Sequence, residues 1–281
     1  MPSRFLPPLL LVFAFVASAW GAAAATAEAR PATSEELVLM MDALEKTARE
    51  LPRWAYTETR LIRDEKGKVK NHTVVRYDPS KPYPEQWTPI TIDGKAPGAR
   101  DIARYRRQGE RAQERDEQAE KRASLGQNEI MLESGRGRRR TLGEVLQTHA
   151  AKVVSSDARH IVFEIPLRKD RNERFPPEKF QVLARIAKET RSLENIAVNL
   201  RESFRAKVVL KVKSGDASLT FAKVAPDRAP TLTEIRGDAS ASILFVSVGG
   251  ELELKRTDLK AVRPYSERFE VQIGTIQAID F

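Results

Sequence analysis

Cysteine is absent from the 281-residue chain. Its absence excludes disulfide bonds, metal sites built on thiolates, nucleophilic thiol chemistry and a lipid-modified cysteine behind an export signal. Without such cross-links, the fold has to be stabilised by its hydrophobic core alone. A chain of this length buries enough apolar surface for that, as one large domain or two small ones.

Histidine is also scarce, and no catalytic motif replaces it. His72, His149 and His160 lie far apart and have no metal-binding spacing such as H-E-x-x-H. There is no G-x-S-x-G motif and no glycine-rich phosphate loop. Paired carboxylates fall in turns or helix starts, so a glycoside hydrolase stays open as an alternative with no feature that points to one. We therefore predict a protein that is not an enzyme and has no cofactor and no metal.

The one long apolar run lies near the N-terminus, from Phe5 to Ala19, and follows a single charge at Arg4. Small residues with A-x-A spacing come next, so residues 1–25 are predicted to be a cleavable signal peptide. The alternative is a membrane anchor, but a spanning helix needs about 20 apolar residues and this run is shorter. We expect an exported, periplasmic protein with no transmembrane segment after cleavage.

The formal net charge is +9 at pH 7. An exported basic protein suits anionic surfaces such as lipid head groups of the cell envelope. Solubility alone is a sufficient reason for many of these charges. Nucleic acid is not expected as a partner, because the signal peptide directs the chain out of the cytoplasm.

The N-terminal part of the predicted mature chain combines a helix with a β-hairpin. Thr33 and Glu36 fit a capping box, apolar residues recur at helical spacing behind them, and Pro52 ends the helix. From there the pattern changes to that of strands. A hairpin is predicted over residues 53–77 and a third strand over residues 87–92.

A charged insertion is predicted over residues 98–150. Residues 101–123 carry both signs of charge and few large apolar side chains, which indicates a mostly solvated helix. An arginine-rich loop follows at residues 135–140. It is interpreted either as a contact for an anion or as an ordinary solvated loop. A short helix is predicted over residues 141–150.

The C-terminal half alternates between apolar and polar residues and has frequent turn signals. Turns are predicted at residues 214–216, 237–238 and 249–250, where glycine pairs with small or acidic residues. The strands predicted between such turns cover residues 161–167, 180–186, 196–200, 206–213, 217–224, 231–236, 239–248, 251–256 and 268–273. Many short strands with regular turns indicate an antiparallel sheet or barrel, so the fold class is α+β.

Several runs resemble a known family. They are Tyr77–Pro82, Glu85–Thr88 and Ile92–Pro97, followed by a strand, turn and strand over Phe180–Leu200. Their order behind a signal peptide and a helix resembles exported proteins related to LolA, the periplasmic lipoprotein-sorting factor. The resemblance implies one domain over residues 26–281. Its fold would be a strongly curved antiparallel sheet, or half-barrel, with helices packed on the concave side and an apolar cavity for acyl chains.

An acyl chain has no directional groups, so its site needs only apolar and aromatic side chains in a dry cavity. Burial is worth about 0.8 kcal/mol per CH₂ group. The candidate lining residues also suit an ordinary core, and they are Trp54, Tyr56, Phe163, Phe221 and Phe245. The predicted function is non-enzymatic binding of lipid or lipoprotein acyl chains.

The charged insertion supports an alternative, because a minimal carrier has no need of it. In this alternative, the chain is an envelope protein–protein interaction factor. It docks to its partner through the charged helix and the arginine-rich loop.

Overall fold

The structure is a computed structural model that describes residues 29–123, 131–133, 139–141, 145–169, 176–207, 210–243 and 246–268. The predicted signal peptide, most of the arginine-rich loop and nearly all of the strand predicted over residues 268–273 lie outside these ranges. The described helices are α1 (Ser34–Glu50) and α2 (Ala99–Ala123). The strands are β1 (Arg30–Pro31), β2 (Trp54–Asp64), β3 (Val69–Tyr77), β4 (Trp87–Ile92), β5 (Met131–Glu133), β6 (Arg139–Thr141), β7 (Lys152–Ser156), β8 (His160–Glu164), β9 (Phe180–Ala187), β10 (Ser192–Leu200), β11 (Phe204–Lys207), β12 (Leu210–Ala222), β13 (Thr231–Ile243) and β14 (Val246–Ala261).

Most of the strands form one antiparallel sheet of 12 strands that does not close. Its order is β1-β7-β8-β9-β10-β12-β13-β14-β2-β3-β4, with β11 beside β12, while β5 and β6 form a separate ribbon. The N-terminal strands β2 to β4 therefore continue the sheet from its last strand, β14. The predicted α+β class with an antiparallel sheet is confirmed. Among the described residues, no helix is both long and apolar enough to cross a membrane.

Helix α1 begins at the predicted capping box. The Glu36 N–H donates to Thr33 Oγ1 at 3.3 Å, and the Thr33 N–H donates to the Glu36 carboxylate at 2.8 Å. A hydrogen-bonded salt bridge from Arg30, at 2.6 Å, lowers the pKa of Glu36 to about 2. The helix ends at Glu50, two residues before Pro52, which has no N–H to donate.

One face of the sheet is apolar and packs against α1. The helix buries Met40, Ala43 and Leu44 against side chains of several strands. Alternation and register place these strand residues on one face of the sheet, and they include Val153, Ile161, Phe163, Val182, Ala184, Ile186, Leu193, Phe221 and Leu232. The other face carries charged residues, such as Lys255 and Glu253, which pair at 2.6 Å.

The predicted turns at residues 214–216, 237–238 and 249–250 are wrong, because β12, β13 and β14 run through them as long strands. Gly249 and Gly250 allow β14 to approach its neighbouring strands closely instead of reversing the chain. A Cβ added to Gly249 would lie 2.1 Å from the Ala239 carbonyl oxygen on β13. Glycine inside a strand marks such close approaches as readily as it marks turns.

The helix predicted over residues 141–150 is also wrong at both of its described ends. Thr141 closes strand β6, and residues Thr148–Ala150 form a 3₁₀ turn. Between them, Leu146 makes a β-bridge with Leu167. Residues 142–144 lie outside the described part. The hairpin β2–β3, the strand β4 and the charged helix α2 follow the prediction closely.

Candidate functional site

Four of the five predicted lining residues lie on the apolar face of the sheet. Trp54 and Tyr56 are on β2, Phe163 is on β8 and Phe221 is on β12, and each is less than a tenth exposed. Phe245 lies outside the described residues. Burial suits both a core residue and a lining residue, so the ligand-binding role of these side chains stays a prediction.

The structure divides these four residues between two groups. Phe163 and Phe221 belong to the hydrophobic cluster that also holds Met40 and Leu44 of α1. Trp54 and Tyr56 lie toward the other end of the sheet, outside that cluster. An acyl chain beneath α1 would therefore meet Phe163 and Phe221 first.

Tyr56 of the second group is also part of an aromatic ladder that crosses three strands. The rings of Tyr56 and Tyr77 lie 5.1 Å apart, and those of Tyr77 and Trp87 lie 4.3 Å apart. The guanidinium of Arg256 on β14 lies 4.1 Å from the Tyr56 ring centre. Tyr77, Trp87 and Arg256 were not predicted as site residues from the sequence. The hairpin register pairs Tyr56 with Tyr77, and the register of β3 with β4 pairs Tyr77 with Trp87. Arg256 is brought to them only by the pairing of β14 with β2.

A buried carboxylate lies beside this ladder on the same face. Glu58 is 5% exposed, and its two oxygens accept hydrogen bonds from Arg60 at 2.9 Å and from Arg256 at 3.3 Å. Arg256 therefore joins the Glu58 ion pair to the Tyr56 ring. This end of the apolar face contains a fixed ionic centre, which suits a polar group better than the middle of an acyl chain.

A basic cleft of about 220 Å³ lies at the C-terminal half of α1. Four cationic side chains line it, and they come from three parts of the chain: helix α1, the turn between β9 and β10, and the segment between β12 and β13. They are Lys46, Arg191, Lys223 and Arg228, and Asp227 and Thr47 also line the cleft. Thr47 is 3% exposed, and its hydroxyl has no hydrogen-bond partner.

An apolar cleft of about 470 Å³ adjoins it along the N-terminal half of α1. It is lined by Ser34, Glu35, Glu36, Val38, Leu39 and Arg191. Val38 is 63% exposed, so its side chain is accessible to a ligand from solvent. Arg191 lines both clefts from the turn between β9 and β10. None of the predicted aromatic residues lines either cleft.

Helix α2 packs against the segment before β4. A Cβ added to Gly109 would lie 1.8 Å from the Tyr83 carbonyl oxygen, so only glycine allows this approach. The Tyr83 hydroxyl donates to Asp116 at 2.8 Å. The exposed side of α2 carries a stripe of four arginines, which we call the arginine stripe: Arg100, Arg104, Arg107 and Arg111.

No metal centre is found in the part of the chain that the structure describes, where no three His, Cys, Asp or Glu residues are arranged to hold an ion. Comparison of the chain with protein-family models, with curated proteins and with solved structures gives no match. The resemblance to LolA-related proteins therefore stays a prediction. A function for this chain can therefore be proposed only from its own residues.

Proposed function

We propose that the protein is an exported, non-enzymatic binding protein for the acyl chains of lipids or lipoproteins, which enter between α1 and the sheet. One observation carries the proposal: the amphipathic helix α1 packs on part of the apolar face of an open antiparallel sheet. The proposal includes a half-barrel curvature of that sheet, with the helices on its concave side. It also includes the predicted signal peptide and a periplasmic location.

The free energies of apolar burial are consistent with an acyl chain replacing the contacts that α1 makes with the sheet. Met40, Ala43 and Leu44 of α1 are buried in the cluster, and Leu37, Leu39 and Met41 pack against it partly buried. A fully buried Leu or Met side chain is worth about 1.5–3 kcal/mol. An acyl chain of about twelve carbons gains on the order of 10 kcal/mol when it is buried. A ligand of that size therefore offsets the contacts that α1 loses when it moves aside.

Alanine residues on opposite faces of the sheet give a matched test. Ala184 is fully buried on β9, between Phe163 of β8 and Ile196 of β10. Ala197 is half-buried and points to the opposite face of β10. Ala184→Leu fills the space that the ligand needs, whereas Ala197→Leu adds the same volume elsewhere. Each variant is first checked for a cooperative thermal transition, because overpacking costs about 1–3 kcal/mol.

The measurement is displacement of a fluorescent fatty-acid probe, together with native mass spectrometry after gentle purification. We expect the wild-type protein and Ala197→Leu to bind the probe equally and Ala184→Leu to bind it at least about tenfold more weakly. Equal binding by both variants would contradict the proposed location. No co-purified lipid and no probe binding by the wild type would contradict the function itself.

A second candidate function rests on the arginine stripe. Residues 100, 104, 107 and 111 share one side of α2, because residues three and four apart on a helix are neighbours. Arg104 pairs with Asp101 at 3.1 Å, but the other three have no ion pair among the described side chains. Such a stripe suits an anionic partner at the cell envelope. It supports docking to an envelope protein through α2.

Charge reversal in the stripe tests this second candidate. Arg107→Glu with Arg111→Glu is expected to reduce cross-linking to envelope proteins severalfold, because the stripe then repels the anionic partner. Lys66→Glu with Arg159→Glu makes the same change in net charge at two exposed turns and serves as the control. Recovery of the same partners in equal amounts from both double variants would exclude docking through the stripe.

A further inference from the structure

We propose that the basic cleft and the apolar cleft together bind one single-chain anionic amphiphile. Its anionic head lies in the basic cleft, and its tail runs along Val38 and Leu39 into the space beneath α1. This inference rests on the proposed function in taking an acyl ligand, and it adds a polar subsite outside the space beneath α1. Arg191 is the link between the two parts, because it lines both clefts.

The charges of the basic cleft are only partly neutralised within the chain. Lys46 pairs with Asp42 at 2.8 Å, and Arg228 pairs with Glu50 at 2.7 Å. Arg191 and Lys223 have no ion pair among the described residues, and Asp227 is the one acid among the lining residues. The cleft is therefore lined by two cations without an ion pair and two cations with one. This favours a bound anion, because hydrogen bonds between charged groups are stronger than those between neutral groups.

Thr47 provides an independent indication of a polar ligand. Thr47 lines the cleft, and its hydroxyl is buried without a hydrogen-bond partner. Buried polar groups in native proteins are nearly always hydrogen-bonded, and an unpaired one destabilises the fold. An oxygen atom of a bound head group would supply the missing partner. If the cleft had only a structural role, valine at position 47 would be more stabilising, because it has the same shape and no unpaired hydroxyl.

Arg191 has a backbone conformation that arginine rarely adopts. Its φ is 50°, in the left-handed region that favours glycine and asparagine. The side chain at this turn position is therefore kept at a conformational cost. Such outliers concentrate at ligand sites, where the side chain has a task.

The apolar cleft has the size and the polarity for a tail. Its volume of about 470 Å³ falls in the range of ligand pockets, about 300–1,000 Å³. Glu35 and Glu36 lie at its far end, where Arg30 holds Glu36 at 2.6 Å. Acids at one end and cations at the other set one orientation for the ligand, with its anionic head at Arg191.

Calorimetric titration of the full chain tests the proposal with three probes below their micellar concentrations: dodecanoate, dodecyltrimethylammonium and inorganic phosphate. We expect dodecanoate to bind at least about tenfold more tightly than either of the others, because it alone fills both clefts. Equal binding of the alkyl cation would overturn the head-group subsite. Phosphate binding as tight as that of dodecanoate would overturn the tail subsite.

A double variant tests the residues, with a control of equal charge. Arg191→Asn with Lys223→Ala keeps the left-handed turn, because asparagine tolerates it. We expect dodecanoate affinity to fall at least about tenfold, while Lys66→Ala with Arg159→Ala leaves it unchanged. If dodecanoate binds the first variant normally but Ala184→Leu weakly, the subsite proposal is wrong and the proposed function stands. If the wild type binds no alkyl probe, both fail.

Thr47→Val separates a ligand-binding role of the Thr47 hydroxyl from a structural one, because melting temperature and ligand affinity are measured on the same variant. The variant is expected to raise the melting temperature of the free protein, because the unpaired hydroxyl is removed, and also to weaken dodecanoate binding severalfold. A higher melting temperature with unchanged affinity would show that the hydroxyl does not meet the ligand. A lower melting temperature would show that the hydroxyl is needed by the fold.

Discussion

At the scale of single residues, Glu58 places a buried negative charge on the apolar face of the sheet. Its carboxylate is buried and is neutralised by Arg256, whose side chain is only 15% exposed, and by the more exposed Arg60. A buried ion pair adds little net stability compared with apolar residues, but removal of one partner leaves a charge without compensation. The ion pair therefore makes this face sensitive to any change at Glu58.

We expect Glu58→Ala to lower the free energy of unfolding by about 2–4 kcal/mol, because Arg256 stays buried without its counter-charge. Urea denaturation at pH 7 measures this loss. Glu45→Ala breaks an exposed pair with Arg49, at 3.2 Å, and should cost no more than about 0.5 kcal/mol. Similar losses in the two variants would mean that the Glu58 pair is effectively solvated.

The outer face of the sheet carries a row of acidic residues, one of which, Asp238, has a raised pKa. Asp216 pairs in register with Asp238, and Asp238 with Glu251. Burial, together with the nearby charges of Asp216 and Glu251, raises the pKa of Asp238 to about 6. Folded Asp238 therefore holds its proton more tightly than the unfolded chain does. Its contribution favours the fold below about pH 4 and is lost as the pH rises toward 6.

Asp238→Asn should remove this pH-dependent loss. We expect the variant to be more stable than the wild type at pH 8 by about 1 kcal/mol, with solvent screening allowed for, and to show a smaller difference at pH 4. Chemical denaturation at several pH values gives the comparison. A variant that is destabilised at pH 8 would show that the Asp238 charge is favourable in the folded protein.

At the scale of elements, the attachment of α2 depends on one glycine. The helix crosses the segment at Tyr83 so closely that a Cβ at position 109 would overlap its carbonyl oxygen. Gly109→Ala should therefore displace α2 despite the better helix propensity of alanine. We expect faster hydrogen exchange over α2 and a loss of about 1–3 kcal/mol. Gln108→Ala, at the exposed neighbouring position, should change neither, and equal exchange in both variants would contradict the close contact.

Local chemistry made some of these elements predictable from the sequence and left others hidden. Thr33, Glu36 and Pro52 define the ends of α1 through backbone hydrogen bonding, and the hairpin β2–β3 follows from alternation around a glycine turn. The glycines of β12 to β14 were misinterpreted because a glycine in a turn and a glycine at a close strand approach have the same sequence signal. Only the register of the sheet distinguishes them.

At the scale of the whole molecule, the sheet order brings together residues that no sequence pattern connects. Arg191 reaches one cleft from the β9–β10 turn, Lys223 and Arg228 reach it from the segment between β12 and β13, and α1 adds Lys46. The aromatic residues expected at the site were recognised by type alone, and four of them lie on the expected kind of apolar face. Their separation into two groups, and the ionic centre beside one of them, depend on long-range strand pairing.

The most direct test of the acyl-binding proposal is hydrogen–deuterium exchange of the full chain with and without saturating dodecanoate. A chain that enters beneath α1 must change the exchange of α1 and of the strand it packs against, β10, while the hairpin β2–β3 keeps its rates. A ligand confined to the two surface clefts would leave β10 unaffected. We predict altered exchange in α1 and β10, and unchanged rates in both would contradict the proposal.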